Sequence, residues 1–178
     1  MQDSPEGWLI IDYIMRASVL GLLALSPMRV AVFQYEALRG TRSRVVGWSL
    51  AAGAAAFLTV TLGLAFWDAV PNWNLGEYPN TTGWVRRFDL TFGLALVALH
   101  EELFFRRFAR LVFSRLGDGI ATVAATSLVF ALYHWWAGLP NILITGLIGV
   151  VLMLLYRAVG VLWPAIVIHY FLDVYAFS

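Results

Sequence analysis

The chain has 178 residues, of which 61% are apolar and 13% charged, with a mean hydropathy of +0.76 and a formal net charge of +1. So little polar surface cannot clothe a soluble globule. The near-neutral charge, with no basic patch interleaved with stacking aromatics outside the apolar runs, excludes a nucleic-acid partner. The absence of cysteine excludes thiol nucleophiles, disulfides and thiolate metal sites. All twelve basic residues are arginine, which excludes Schiff-base and Ser-Lys chemistry.

The apolar runs number about six, and they exceed the roughly ten to fourteen residues of a buried core helix. The expected fold class is therefore all-α, a polytopic membrane bundle of about six transmembrane helices in one integral membrane domain, 1–178. Segment 1–7 is acidic, which argues against a cleaved signal peptide and for a first run that stays in the membrane. The first span covers residues 8 to about 25 and is interrupted by Asp12 and Arg16, four apart on one face. They most simply pair with each other, and contact with a polar substrate is the functional alternative. Pro27 ends the span. In 28–44, Arg29, Arg39, Arg42 and Arg44 stand against Glu36, while Met28, Ala31, Val32, Tyr35 and Leu38 recur at helical spacing, so part of this segment is expected to lie on the membrane surface as an amphipathic helix.

The second span, 45–67, carries small residues around Gly53 that allow a neighbouring helix to approach closely. A loop follows over 68–89, punctuated by Pro71, Asn72, Asn74, Gly76, Pro79, Asn80 and Gly83, with Trp67, Trp73, Tyr78 and Trp84 suited to the membrane interface. Asn80-Thr81-Thr82 matches a glycosylation acceptor, a pattern too short to be specific. The third span runs from 88 to about 113 and is broken by Gly117-Asp118-Gly119. The fourth, 120–136, carries His134 near its end and stops at Gly138 and Pro140. The fifth, 141–156, contains Gly146 and Gly149 for close packing. The sixth, from 161 onward, holds His169 and Asp173 four apart. Arginines follow spans one, three and five, which favours six spans with both termini outside.

Charge inside these runs needs a reason, because a carboxylate in hydrocarbon is costly unless paired or facing a polar cavity. On a helix, Glu102 and Arg106 share a face, whereas Glu101 points roughly 100° away. One glutamate is then held by the arginine and the other is left free. His134 and His169 lie in equally apolar runs and are natural company for the free carboxylate. A carboxylate beside an imidazole can deprotonate water. A second imidazole, oriented one turn away, can donate to the oxyanion formed when water attacks a carbonyl. Such a set suits peptide hydrolysis inside a membrane.

Glu101-Glu102-x-x-x-Arg106, Phe130-x-x-x-His134 and His169-x-x-x-Asp173, in this order, resemble the three motifs of the CAAX protease and bacteriocin-processing family, also called the Abi family, of glutamic-type intramembrane proteases. The resemblance covers a catalytic core of about 88–177. It implies that Glu101 activates water together with His134, that His169 and Asp173 stabilise the oxyanion, and that Glu102 and Arg106 form a supporting ion pair. It also implies a mechanism without a metal cofactor. Asp173 stands where eukaryotic members commonly have Asn, which leaves its role open between donating a hydrogen bond and orienting His169. Phe130 shapes the wall near His134. His100 is outside the pattern and is expected to be a surface residue or a support behind the site.

Each motif alone also has a plain structural reading. The glutamate pair could be the polar end of a helix, His134 an interfacial residue beside Trp135 and Trp136, and His169 a core partner of Asp173. Two histidines and a glutamate are also a conceivable zinc set, although no H-E-x-x-H spacing is present. A non-catalytic bacteriocin-immunity or assembly factor is the remaining alternative. The expected partners are the bilayer and a membrane-associated peptide or protein substrate. The lack of lysine and the short segment before the core suggest a bacterial inner-membrane protein, with leader peptides, sorting tails or regulatory membrane proteins as substrates.

Overall fold

The computed structural model describes residues 4–34, 36–73, 75–76, 78–117 and 119–178, without the side chain of Leu116. Tyr35, Asn74, Asp118 and the first three residues of the acidic segment lie outside the described residues. The described chain is helical and has no strand. Helix α1 (Pro5–Leu25) starts on Ser4, whose side chain accepts from the Gly7 amide, with Pro5 in its first turn. A short α2 (Arg29–Phe33) precedes α3 (Arg42–Ala65), which Thr41 caps through the Arg44 amide.

A continuous helical stretch then passes through α4 (Gly83–Phe88), a π-helical segment Asp89–Gly93, α5 (Leu94–Glu102), a second π segment Leu103–Ala109, α6 (Arg110–Phe113) and a 3-10 turn Ser114–Leu116. It is followed by α7 (Ile120–Tyr133), α8 (Leu139–Val159) and α9 (Trp163–Phe177). Helices α1, α3 and α8 are long and apolar enough to cross a bilayer, and α7 and α9 are shorter apolar helices. Leu25, Leu50, Phe66, Ile120 and Phe171 point their side chains outward, as lipid-facing positions do. The molecule is a helical membrane bundle.

Helix α8 packs between α3 and α7, while α9 packs on α5 and α3. One core joins Ala52, Ala56 and Val60 of α3 to Ile148, Leu152 and Leu155 of α8 and to Ala165 and Leu172 of α9. The small side chains of α3 allow this approach, as the run around Gly53 predicts. A second core joins Leu23, Val32, Leu103, Val123, Met153 and Tyr156.

The two ends of the bundle differ. At one end the 28–44 segment, the 107–119 region and the α8–α9 turn meet: Arg39 bonds the backbone at Val159 and Arg157, Arg107 pairs with Glu36, and Arg157 reaches the Gly119 carbonyl. At the other end, Trp73 and Leu75 bond the backbone of Trp135 and Trp136, and Tyr78 stacks on Phe177.

The structure bounds one expectation and corrects another. The helix expected in part of 28–44 covers Arg29–Phe33, and the backbone from 36 to 41 is irregular, with Gly40 at φ 96°. Glu36 is drawn across to Arg107 and to the Tyr156 hydroxyl, so cross-bundle side-chain bonds override the apolar period. The predicted 68–89 loop turns helical by Gly83, so the third helical run begins five residues earlier than expected.

Candidate active site

Helix α5 ends on the two glutamates, and both are buried. Glu102 accepts from Arg106 through Nε at 2.9 Å and Nη2 at 3.2 Å, a two-point pair whose side chains are wholly buried. The second π segment begins directly after Glu102, and the pair survives the local widening of the helix. This is the ion pair that helical spacing predicts.

Glu101 is not left free as the sequence suggests. Arg16, from α1, donates through Nη1 to Glu101 Oε1 at 2.7 Å and through Nε to Asp12 at 2.7 Å. The expected Asp12–Arg16 pair therefore forms, and it goes on to bind the glutamate. His100 also belongs to this junction. It is buried, and its Nδ1 accepts from Arg16 Nη1 at 3.2 Å, so it is a support behind Glu101 and not a surface residue. A guanidinium only donates, which gives Nδ1 of His100 the lone pair.

The other carboxylate oxygen, Glu101 Oε2, is buried and accepts no hydrogen bond from the described residues. It lies 3.8 Å from His134 Nε2 and 3.7 Å from His169 Nε2. These separations are too long for direct hydrogen bonds and suit a bridging water.

His134 caps the C-terminus of α7, where the helix gives way to a 3-10 turn, Trp135–Ala137. Its Nδ1 lies 2.8 Å from the Phe130 carbonyl. A carbonyl cannot donate, so Nδ1 carries a proton, and when the ring is neutral Nε2 presents its lone pair toward Glu101. The Phe130 ring meets both imidazoles edge to face, at 4.8 Å from His134 and 5.9 Å from His169.

His169, on α9, is held differently from expectation. Its Nδ1 donates to Glu102 Oε1 at 2.9 Å, whereas Asp173 Oδ2 lies 3.6 Å from Nε2. Glu102, sixty-seven residues away in the chain, is thus the closer orienting group. Asp173 lies one turn along α9 and turns a buried Oδ2 without a hydrogen-bond partner among the described residues toward the same point. Glu101, His134, His169 and Asp173 converge, and Glu102, Arg106 and Phe130 lie directly behind them.

A cavity of about 430 Å³ adjoins this cluster, and Arg16, Glu101, His134, His169 and Asp173 line it. The apolar side chains of Val60, Leu64, Ile144 and Leu172 and the aromatic ones of Trp8, Trp67, Tyr78 and Trp136 also line it. A shallow apolar groove elsewhere, between α3 and α8, has no ionisable lining residue. Among the described residues, no group of three or more histidine, aspartate or glutamate side chains is placed to hold a metal ion.

One buried acid was missed in the sequence. Asp89 accepts from Tyr13 at 2.5 Å and from Tyr78 at 2.8 and 2.9 Å, tying α1 and the 75–82 segment to the start of the third helical run. Burial, followed by the Asp89 carboxylate, pushes the Tyr78 phenol well above its ordinary range, so Tyr78 remains a donor. The available signal was an acid at the head of an apolar run with tyrosines in reach. Arg16 had a clearer one, a cation within a membrane span, but its partner on α5 has no fixed spacing from it.

A family model described as type II CAAX prenyl endopeptidase, Rce1-like, matches residues 83–175. The match contains all three motifs and excludes Arg16. No curated protein and no solved structure matches the chain at a significant level.

Proposed function

The chain belongs to the Rce1-like family of type II CAAX prenyl endopeptidases, and on that premise we propose that it cleaves a membrane-associated peptide or protein with a water activated jointly by Glu101 and His134. As a family member it is a CAAX-type membrane endopeptidase. The observation that carries the finer reading is the buried, unpartnered Oε2 of Glu101, with His134 Nε2 at 3.8 Å and His169 Nε2 at 3.7 Å.

In the proposed mechanism, water bridges Glu101 Oε2 and His134 Nε2, donating one hydrogen to each. Both of its hydrogens are then engaged, and an oxygen lone pair is free for the scissile carbonyl carbon. Arg16 occupies Oε1 and leaves Oε2 facing the water. As the C–O bond forms, a water proton passes to the Glu101–His134 pair. The carbonyl oxygen becomes an oxyanion and accepts from a protonated Nε2 of His169, whose Nδ1–H is held by Glu102. Asp173 orients this side of the ring. The C–N bond then breaks, the abstracted proton goes to the leaving nitrogen, and an amine and a carboxylic acid result, the latter losing its remaining proton to water. The pair titrates jointly, so base function belongs to neither residue alone.

The proposed setting is the bacterial cytoplasmic membrane, to which the lysine-free composition points. The test compares N- and C-terminal peptides of membrane proteins from cells expressing wild type or Glu101→Gln at equal levels. A terminus that depends on the wild-type glutamate is expected. Identical termini, together with a phenotype that survives both Glu101→Gln and His134→Ala, would establish a non-catalytic membrane role.

A further inference from the structure

The cavity extends from the glutamate and histidines toward one end of the bundle, and the arginines gather at the other. At that end the lining includes exposed Gly76 and the half-buried Trp8, Trp67, Tyr78 and Trp136, aromatic side chains of the kind that form a belt at a membrane interface. The opposite end carries the arginines of 29–44 and 107–115 together with Arg157, tied to one another's segments by the contacts of Arg39, Arg107 and Arg157. The mouth end has Arg86 and Arg87, and Arg86 is engaged by the backbone carbonyls of Phe177 and Ser178 at 2.9 Å. Arg16 and Arg106 are paired inside the bundle. The arginine-rich end therefore faces the cytoplasm by the rule that cytoplasmic flanks collect Lys and Arg, whereas acidic residues count little.

The cytoplasmic side of the site is also plugged. Below Glu101 and the histidines lie Glu102 and Arg106, neither accessible to solvent, with the Arg106 guanidinium 4.8 Å from the Phe130 ring centroid. Phe105 closes against Phe130 edge to face at 4.9 Å. Helix α7 has fourteen residues between the arginine-rich end and His134, so the reacting groups stand about 21 Å above the foot of that helix.

We infer that the cavity opens to the extracytoplasmic face, and that its substrate is a membrane-anchored polypeptide whose scissile segment enters from that side. This rests on the proteolytic reading above and narrows its substrate class. A prenylated C-terminus presented from the cytoplasm would meet the Glu102–Arg106–Phe130 plug instead of the mouth. The mouth admits an extended, mainly apolar segment past the aromatic rim, with its carbonyl reaching Glu101 and its flanks against Ile144 and Leu172.

The chain lacks cysteine, so a single introduced thiol reports its own side of the membrane. Asn80→Cys and Leu75→Cys place it on exposed residues at the mouth end, and Ser43→Cys on an exposed residue at the arginine end. Spheroplasts are treated with a membrane-impermeant maleimide before or after lysis. Labelling of the two mouth-end thiols before lysis, and of Ser43→Cys only after it, is the expected result. The reverse pattern would overturn the inference and leave the proteolytic reading intact.

Terminal proteomics of wild type against Glu101→Gln supplies the second arm. A new terminus in an extracytoplasmic segment of a membrane protein supports the inference, and one at a cytoplasmic C-terminal tail overturns it. Identical termini would sink the proteolytic reading and the substrate class with it, while the maleimide pattern would still decide the orientation.

Discussion

Arg16 and Glu101 stand 85 residues apart in the chain, and their side chains meet at 2.7 Å. The contact joins α1, which the family model does not reach, to Glu101 within the segment it does. In the proposed mechanism Arg16 acts through Glu101, as a positioning residue that leaves one carboxylate oxygen facing the cavity.

Arg16→Ala leaves Asp12 and Glu101 without their shared cation, a loss on the order of 3–5 kcal/mol for a broken buried pair. Arg16→Lys keeps the charge but not the fork that spans both acids. Thermal unfolding in detergent is expected to fall for Arg16→Ala and to recover largely for Arg16→Lys. Cleavage by the lysine variant is expected to stay about 10²-fold down, because Glu101 is no longer aimed. Parallel recovery of stability and cleavage would reduce Arg16 to a purely structural role.

Glu101→Gln preserves shape and removes the proposed base. The variant is expected to accumulate in the membrane like wild type while turnover drops by about 10²–10⁴-fold, the range for a lost general base. Near-normal turnover measured on purified protein would remove Glu101 from the mechanism.

Arg106→Ala strands Glu102 in a site with no solvent access. We expect a loss on the order of 3–5 kcal/mol, seen as a lower melting temperature and lower membrane levels. Activity is expected to fall further than the folded fraction does, because Glu102 also holds His169. A variant with wild-type melting and abundance would contradict the buried pair.

Gly149 lies where an added Cβ would stand 3.2 Å from Phe130 Cδ1 and from Ser127 Cα and Cβ. Gly149→Val is expected to overpack this contact by about 1–3 kcal/mol. It should also displace Phe130, whose carbonyl sets the His134 tautomer. Gly21→Ala, with nothing within 4 Å of the added carbon, serves as the control and should leave melting and cleavage unchanged. Equal behaviour of the two variants would detach Phe130 from the geometry of His134.

A water mechanism without metal predicts that dialysis against a strong chelator leaves cleavage unchanged. Loss of cleavage that added zinc restores would reassign the two histidines and Glu101 as ligands.

The legibility of the site follows from the range of each interaction. Glu102–Arg106 was readable because a helix puts residues four apart on one face, and Asp12–Arg16 for the same reason. His169 and Asp173 have that spacing too, yet the closer partner of His169 is Glu102 on another helix. Helical spacing permits a contact, and competition from other helices decides whether it is made. The helix read in part of 28–44 is confined to Arg29–Phe33 for the same reason, since beyond it Glu36 finds Arg107 and Tyr156 across the bundle.

Apolar run length and buried-charge cost are properties of the chain, so the residues alone determined a helical membrane protein with acids and imidazoles in its interior. Which acid meets which base is set by how the helices cross. That packing gave Arg16 to Glu101, turned Glu102 toward His169, recruited His100 and Asp89, and set the cluster beside a cavity. None of these contacts has a fixed sequence separation, because each depends on the relative placement of two helices that no local spacing encodes.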